Sequence, residues 1–396
     1  MILKSGLILI QNNIMDTKLH RAKPYFPKKD HKDILTAWKE ILDTGMFIQG
    51  KYVNEFEKQF AEYCGTKYAI ATNSGATALE VALRATGIEG KKFIVPTQTF
   101  VASVSAIIRS NNIPVITDID SKTQCLSLDI IKKNMSDDLA GVMWVHMAGY
   151  ITPDYYKIKQ YCDDNNLILL EDGSHAVGAS IDGIKAGNLG LAGCFSLFAT
   201  KIITSGEGGM ITTNDFNFAK RCKILRNHGS VRNSAPYIGI DCGVSCTYAS
   251  SNYRMPEMAA VVGISQMKHI DTFVKKRNKL AKCYAQKLDK NKVTILKVPK
   301  NITMTWWNYI IVLKEGTTAL DRINFCDNLN ELYNIPTANA YWPACHKQPA
   351  FSQYVDLDVY PIADDILERH VALPMYVEMT IDQVNYVANA VNELLK

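Results

Sequence analysis

The chain has 396 residues and a mass of 44.3 kDa, and it is 47% hydrophobic and 21% charged. That balance excludes disordered and collagen-like classes and leaves room for two or three domains around a small-molecule site. Its 44 Lys and Arg exceed 39 Asp and Glu by +5 without any long basic run, so no nucleic-acid partner is expected.

At the start of the chain, the apolar run Gly6-Leu7-Ile8-Leu9-Ile10 stops at Gln11. It is far shorter than the roughly 20 residues that span a bilayer, and no small-residue cleavage site follows it. No membrane partner is expected, and residues 1–25 read as an N-terminal extension. Ten cysteines are scattered singly, apart from Cys242 and Cys246. With no second pair at metal-ligand spacing, they predict reduced thiols in a cytoplasmic protein and no metal site.

From residue 68 to 213, short apolar strands alternate with helical patterns, the signature of an α/β domain with a mostly parallel sheet. The predicted strands are Tyr68 to Thr72, Phe93 to Val95, Pro114 to Thr117, Val142 to Val145, Leu167 to Leu170, Cys194 to Phe198 and Gly209 to Thr213. The predicted helices are Ala76 to Ala85, Thr99 to Arg109, Leu128 to Asn134 and Pro153 to Cys162. After Asn252 the texture changes. Pro256 stands at a first helical position, with Ala260, Val261, Ile264 and Met267 at helical spacing. A long basic helix through Lys275-Lys276-Arg277 follows, and the charge run from Lys275 to Lys279 reads as a solvated face. Trp306 to Leu313 reads as a strand and Ile381 to Leu395 as a closing helix. The expected division is a large domain at 26–255 and a linking helix with a small α+β domain at 256–396.

Three segments carry candidate chemistry. Asn73-Ser74-Gly75-Ala76-Thr77 is a small-residue turn between a strand and a helix. Such a turn offers N–H groups to a phosphate, although it also serves as a plain helix cap. Glu171-Asp172-Gly173-Ser174-His175 ends an apolar strand with an acid at the edge where α/β sheets bind ligands. Asp172 could instead cap a turn, and His175 is ambiguous alone. Lys201 follows the apolar Cys194-Phe195-Ser196-Leu197-Phe198 and precedes Gly206-Glu207-Gly208-Gly209. A desolvated lysine has a depressed pKa and a nucleophilic amine, whereas most lysines are solvated.

Together the three suggest pyridoxal 5'-phosphate: a phosphate cradle, an acid for the pyridine nitrogen and a lysine for the Schiff base. Phe100 offers a ring face for stacking, although a core aromatic is the commoner fate of such a residue. A nicotinamide enzyme would need a glycine fingerprint and ribose acid that this chain lacks.

From Pro24 to its C-terminus the sequence resembles the DegT/StrS family of pyridoxal-phosphate-dependent sugar aminotransferases. The resemblance rests on Phe56-Glu57 through Gly65, Ser74-Gly75, Val95-Pro96 with Thr99-Phe100, Val145-His146, Glu171-Asp172, Lys201 with Gly206 to Gly209, His228-Gly229, Asn252 to Met255 and His346 to Phe351. It implies fold type I: a large domain with a mostly parallel central sheet flanked by helices, plus a smaller α+β C-terminal domain. It further implies Lys201 as the Schiff-base lysine and Asp172 as the partner of the pyridine nitrogen. Gly75, Ala76, Thr77 and Ser196 would bind the phosphate, Phe100 would stack, and His175 would touch the cofactor ring or its hydroxyl. Asn252 would reach the phosphate of a neighbouring subunit in a homodimer with shared active sites. Tyr341 and His346 would cover the substrate.

The implied activity moves an amino group from L-glutamate to a nucleotide-linked keto-sugar. A dehydratase of the same family is the rival, opposed by Lys201 where such enzymes carry histidine. A non-catalytic cofactor-binding regulator is the alternative of another class. Departures from the family pattern are Ala76 where threonine is usual, a turn at Gly149 to Asp154 that looks longer than the common form, and the long lead-in, for which Met15 is an alternative initiator.

Overall fold

A computed structural model describes residues 18–230, 246–339, 341–356 and 360–396. Cys242, Met15 and most of the expected extension lie outside these residues.

Alternation of buried strands and helices builds the large body. Its strands are β1 (Tyr68–Thr72), β2 (Lys92–Pro96), β3 (Ile113–Thr117), β4 (Leu139–Val145) and β5 (Ile168–Asp172), then the hairpin β6 (Ser180–Ile181) and β7 (Ile184–Lys185), and finally β8 (Ala192–Ser196) and β9 (Gly209–Thr213). The main sheet has seven strands in the order β1-β9-β8-β5-β4-β2-β3. All its pairings are parallel except those of β9, which runs against both β1 and β8. Nearly every residue of these strands is buried on both faces, as helices on both sides of a parallel sheet require. One apolar cluster fills the face around Phe60, Trp144 and Phe195, and a second fills the face around Leu79, Phe93 and Val104.

All the predicted strands of this sheet form, β1 and β9 at the expected bounds and the others with shifted ends. β5 extends to Asp172, so the acid is the last ladder residue rather than the first loop residue. β8 starts two residues earlier than expected and ends at Ser196, which frees Leu197 to Lys201 to turn into the cavity described below.

The C-terminal part holds β10 (Val293–Ile295), β11 (Ile302–Thr303), β12 (Tyr309–Leu313) and β13 (His370–Leu373). β10, β12 and β13 make an antiparallel sheet, while β11 joins the β6–β7 hairpin of the large body. The helices Ala319–Tyr333 and Ile381–Leu394 cover the three-stranded sheet around Tyr284, Tyr309 and Leu329. The helix Ile270–Lys287 spans both cores: Phe273 and Val274 pack in the large one, and Leu280 and Tyr284 in the small one. Trp306 was expected to open β12, but it sits at φ 52 and the strand begins at Tyr309. The backbone there turns away from the ladder, and it delivers Trp307 to the cavity.

Candidate active site

The carboxyl ends of β1, β2, β4, β5 and β8 open on one cavity of about 580 Å³, where parallel sheets ordinarily gather ligands. Its floor is the strand-end wall: Gly75, Ala76, Asp172, His175, Ser196 and Lys201. Facing them are Trp307, Asn308, Tyr341 and Trp342 from the C-terminal half, with Arg21 at the N-terminal side.

The turn after β1 is shaped by close approach. A Cβ on Gly75 would lie 2.6 Å from Ser196 Cβ, and one on Gly209 would lie 2.1 Å from the Ser74 carbonyl. Only glycine allows these backbones to meet. Ser74 caps the helix Gly75–Ala85: its Oγ accepts from Thr77 N–H at 3.2 Å, while Thr77 Oγ1 lies 3.1 Å from Ser74 N–H and 2.7 Å from Asn73 Oδ1. The Thr77 hydroxyl is thus turned back into the capping box, and Thr77 is not on the cavity wall. First-turn N–H groups have no acceptor within a helix, so Gly75 and Ala76 present theirs, and the positive end of the helix dipole, to the cavity.

Asp172 is 5% exposed. Ser103 O–H donates to its Oδ2 at 2.6 Å, Ser174 N–H donates to Oδ1 at 3.1 Å, and Thr99 Oγ1 lies 2.6 Å from Ser103 Oγ. It does fix the turn, but it also lines the cavity, so both readings of this acid hold together. Beneath it Glu171, fully buried, accepts from the N–H groups of Gly187, Leu189 and Gly190 at 2.8 to 3.0 Å and lies 2.8 Å from His146 Nε2. Buried carboxylates need this degree of hydrogen bonding.

Lys201 is not a solvated lysine. Burial pulls its pKa down to about 8, against a partial restoring pull from the Asp172 carboxylate. Its Nζ lies 4.4 Å from the centroid of the Trp307 ring. His175 stacks on that indole at 3.8 Å and 3°, and its Nε2 lies 2.5 Å from the Tyr341 hydroxyl. Burial and the neighbouring Lys201 hold His175 well below the usual imidazole range, so it is neutral at pH 7. Phe100 is 58% exposed on the cavity wall and lies 6.4 Å from the Tyr341 ring, which rules out the core-aromatic reading.

Besides Thr77, two expected residues lie elsewhere. His346 is 3% exposed and absent from the wall: its Nδ1 is 2.7 Å from Thr97 Oγ1, its Nε2 2.9 Å from Asp364 Oδ1, and its ring stacks on Tyr360. Both nitrogens are committed, so its position supports the loop behind the site rather than touching substrate. Asn252 is exposed and off this chain's cavity, where its carbonyl accepts from Asn73 Nδ2 at 3.3 Å.

Sequence reasoning missed Ser103, Trp307 and Arg21. Ser103 stands one helical turn beyond Thr99, a spacing that could have pointed to it. The other two carried no local signal.

Cavity and fold together define an enzyme with a buried amine, an acid and an anion-binding helix start around one ligand space. The chain belongs to the DegT/DnrJ/EryC1/StrS aminotransferase family, whose model matches residues 28–392. It is 34% identical to GDP-perosamine synthase of Caulobacter vibrioides over 361 residues, covering 90% of this chain and 94% of that protein. It is 31% identical to dTDP-3-amino-3,6-dideoxy-alpha-D-galactopyranose transaminase of Aneurinibacillus thermoaerophilus, covering 91% and 95%. Among solved structures, Helicobacter pylori PseC, an aminotransferase involved in the biosynthesis of pseudoaminic acid, superposes with a TM-score of 0.87 at 23% identity, covering 96% and 99%.

Proposed function

We propose that this chain is a pyridoxal-phosphate-dependent transaminase that moves an amino group from L-glutamate to a nucleotide-linked keto-sugar in amino-sugar biosynthesis. The observation that carries the reading is Lys201, a desolvated amine in the same cavity as Asp172 and the start of the helix Gly75–Ala85. Relatives named for GDP-, dTDP- and UDP-linked sugars support the substrate class.

The residues present fit the cofactor. The Gly75 and Ala76 N–H groups and the Ser196 hydroxyl suit its phosphate, the Asp172 carboxylate suits a protonated pyridine nitrogen, and the Phe100 face suits its ring. When bound, pyridoxal phosphate supplies an electron sink for the charge left at carbon when the amino donor gives up its α-proton.

The chain supplies the rest. Asp172, held by Ser103 and the Ser174 N–H, keeps its negative charge aimed into the cavity without reorganising. Lys201 Nζ, as the free amine, accepts the α-proton of the donor and later returns a proton to the carbon being aminated. A pKa of about 8 suits both directions near neutral pH. Neutral His175, locked between Trp307 and Tyr341, presents a hydrogen-bonding imidazole without adding a second cation beside Lys201. Asn252, outside this chain's own cavity, fits the reading of a cytoplasmic homodimer in which each subunit completes its neighbour's site.

The test is direct. Purified protein supplied with pyridoxal phosphate is expected to show a visible absorbance band that L-glutamate bleaches. Lys201→Ala is expected to lack the lysine-dependent band and to lose exchange. A parent protein that stays colourless, or that responds to no amino donor, overturns the reading.

A further inference from the structure

Trp307 meets the segment carrying Lys201 in two ways. Its ring face lies 4.4 Å from Lys201 Nζ, and its Nε1–H donates to the carbonyl of Thr200, the residue before the lysine, at 3.0 Å. The indole also stacks on His175 at 3.8 Å and lies 6.3 Å from the Tyr341 ring. The tryptophan is itself fixed from both parts of the chain. Its N–H donates to the Ala148 carbonyl at 3.0 Å, and Arg277, which is buried and so departs from the solvated face expected of this helix's charge run, donates to the carbonyls of Trp306, Trp307 and Met375 at 2.9 to 3.4 Å. An indole so anchored gives a lysine ammonium both a face and a stop.

We propose that Trp307 is a positioning residue for Lys201, holding the detached ammonium over its ring face by a cation–π contact and fixing the Thr200–Lys201 backbone through its indole N–H. The inference rests on the transaminase reading of Lys201. The contact matters in the part of the cycle when the lysine is not covalently engaged, because the amine must then stay within reach of the carbon whose proton it carries. A cation–π contact favours the protonated form, so the ring opposes the desolvation that lowers the Lys201 pKa. The other charged or titratable groups lining the same cavity are Asp172, Glu207, His175, Tyr341 and Arg21. Of these His175 and Tyr341 pack on the indole, and His175, neutral in the parent, loses its stacking partner in Trp307→Leu but keeps an aromatic one in Trp307→Phe, so the pair of variants separates its response from that of Lys201.

The experiment compares the parent with Trp307→Phe and Trp307→Leu, all full-length and saturated with pyridoxamine 5'-phosphate, which leaves the lysine free. The readout is the pH dependence of Lys201 labelling by an amine-reactive reagent, followed by peptide mass spectrometry, alongside single-turnover rates with L-glutamate for the pyridoxal-phosphate form. Trp307→Leu is expected to lower the labelling midpoint by about half a pH unit or more and the rate by about tenfold. Trp307→Phe keeps a ring but loses the Thr200 hydrogen bond. It is expected to hold the midpoint close to the parent's while the rate falls several-fold.

An unchanged or raised midpoint in Trp307→Leu overturns the cation–π contact. A parental rate in Trp307→Phe overturns the backbone role, and that variant still decides if the leucine variant does not fold. A parent that does not respond to glutamate at all is the separate failure of the transaminase reading.

Discussion

The two walls of the cavity are built on different principles. The strand-end wall hangs Asp172 and Ser196 on the last residues of β5 and β8, inside a sheet whose ladder fixes them, and it reinforces Asp172 with donors from a neighbouring helix and turn. The opposite wall is irregular backbone. Trp306 at φ 52 and Tyr341 at φ 64 turn the chain where no strand holds it, and the side chains Trp307, Tyr341 and Phe100 meet through ring faces and edges. The fixed carboxylate Asp172 sits on the ladder, whereas Lys201 lies in the turn beyond β8, its N–H donating to the Phe198 carbonyl at 3.0 Å. Loops of this kind can vary without disturbing the sheet.

If that division is right, neutralising a strand-end group should cost far more turnover than altering the loop wall. Asp172→Asn keeps size and can still accept from Ser103, but it removes the negative charge aimed into the cavity, which on the proposed reading pairs with the cofactor's ring nitrogen. Its kcat is expected to fall by about 10²- to 10³-fold with little change in thermal stability, read by steady-state kinetics beside a melting curve. A fall of less than tenfold would break the comparison at its strongest point.

One layer deeper, Glu171 should act on stability. It gathers three backbone N–H groups and His146 where no water reaches. Glu171→Ala strands those donors and is expected to cost about 3 kcal/mol or more, measured from urea denaturation midpoints. The same truncation at exposed Phe100 should cost well under 1 kcal/mol.

The lysine carries a stability cost with a definite pH window. Its ordinary pKa is 10.5 and its folded value about 8. Between those values the unfolded chain binds more protons, so stability rises with pH across that window, while below about 8 the folded state bears the full cost of a buried ammonium. Lys201→Met in cofactor-free protein is therefore expected to gain on the order of 2 kcal/mol at pH 7. The gain should shrink as pH rises from 8 and vanish above 10.5. A gain that does not depend on pH would mean that packing, not charge, sets the difference.

The same division explains what could be read from the sequence. β1 to β5, β8 and β9 are short, strongly apolar and separated by turn residues, so periodicity finds them, and parallel-sheet topology then places Asp172 and Lys201 at one edge. β1 and β9 fall where expected while other strand ends slip by one to three residues, and at β5 the ladder continues into Glu171 and Asp172 because their side chains are satisfied. The reversed sense of β9 left no local trace, since pairing direction is set by partners far away in sequence. Thr77 and His346 were placed in the site by motif, yet neither faces the cavity. Thr77 spends its hydroxyl on a capping box, and His346 is committed to Thr97 and Asp364. Trp307 was read as part of a strand, because a positive φ at the residue before it is invisible to apolar patterning.

The smallest expected effect lies at the rim. Arg21 is exposed, yet the segment carrying it is tied down: Leu19 is buried in the C-terminal core, the Arg21 carbonyl accepts from Met375 N–H at 3.3 Å, and Lys23 pairs with Glu378 at 2.5 Å. The backbone thus places Arg21 at the cavity mouth, where an anionic nucleotide portion would pass it. A rim charge screened by water contributes about 1 kcal/mol or less and acts mainly on encounter. Arg21→Gln is expected to raise the KM for the nucleotide-linked keto-sugar about three- to fivefold, with kcat within about twofold and the KM for L-glutamate unchanged. The difference should fade as salt rises from roughly 0.05 to 0.3 M, because the screening length shrinks to a few ångströms. A matching loss in kcat would place Arg21 with the strand-end groups and erase the distinction between the two walls.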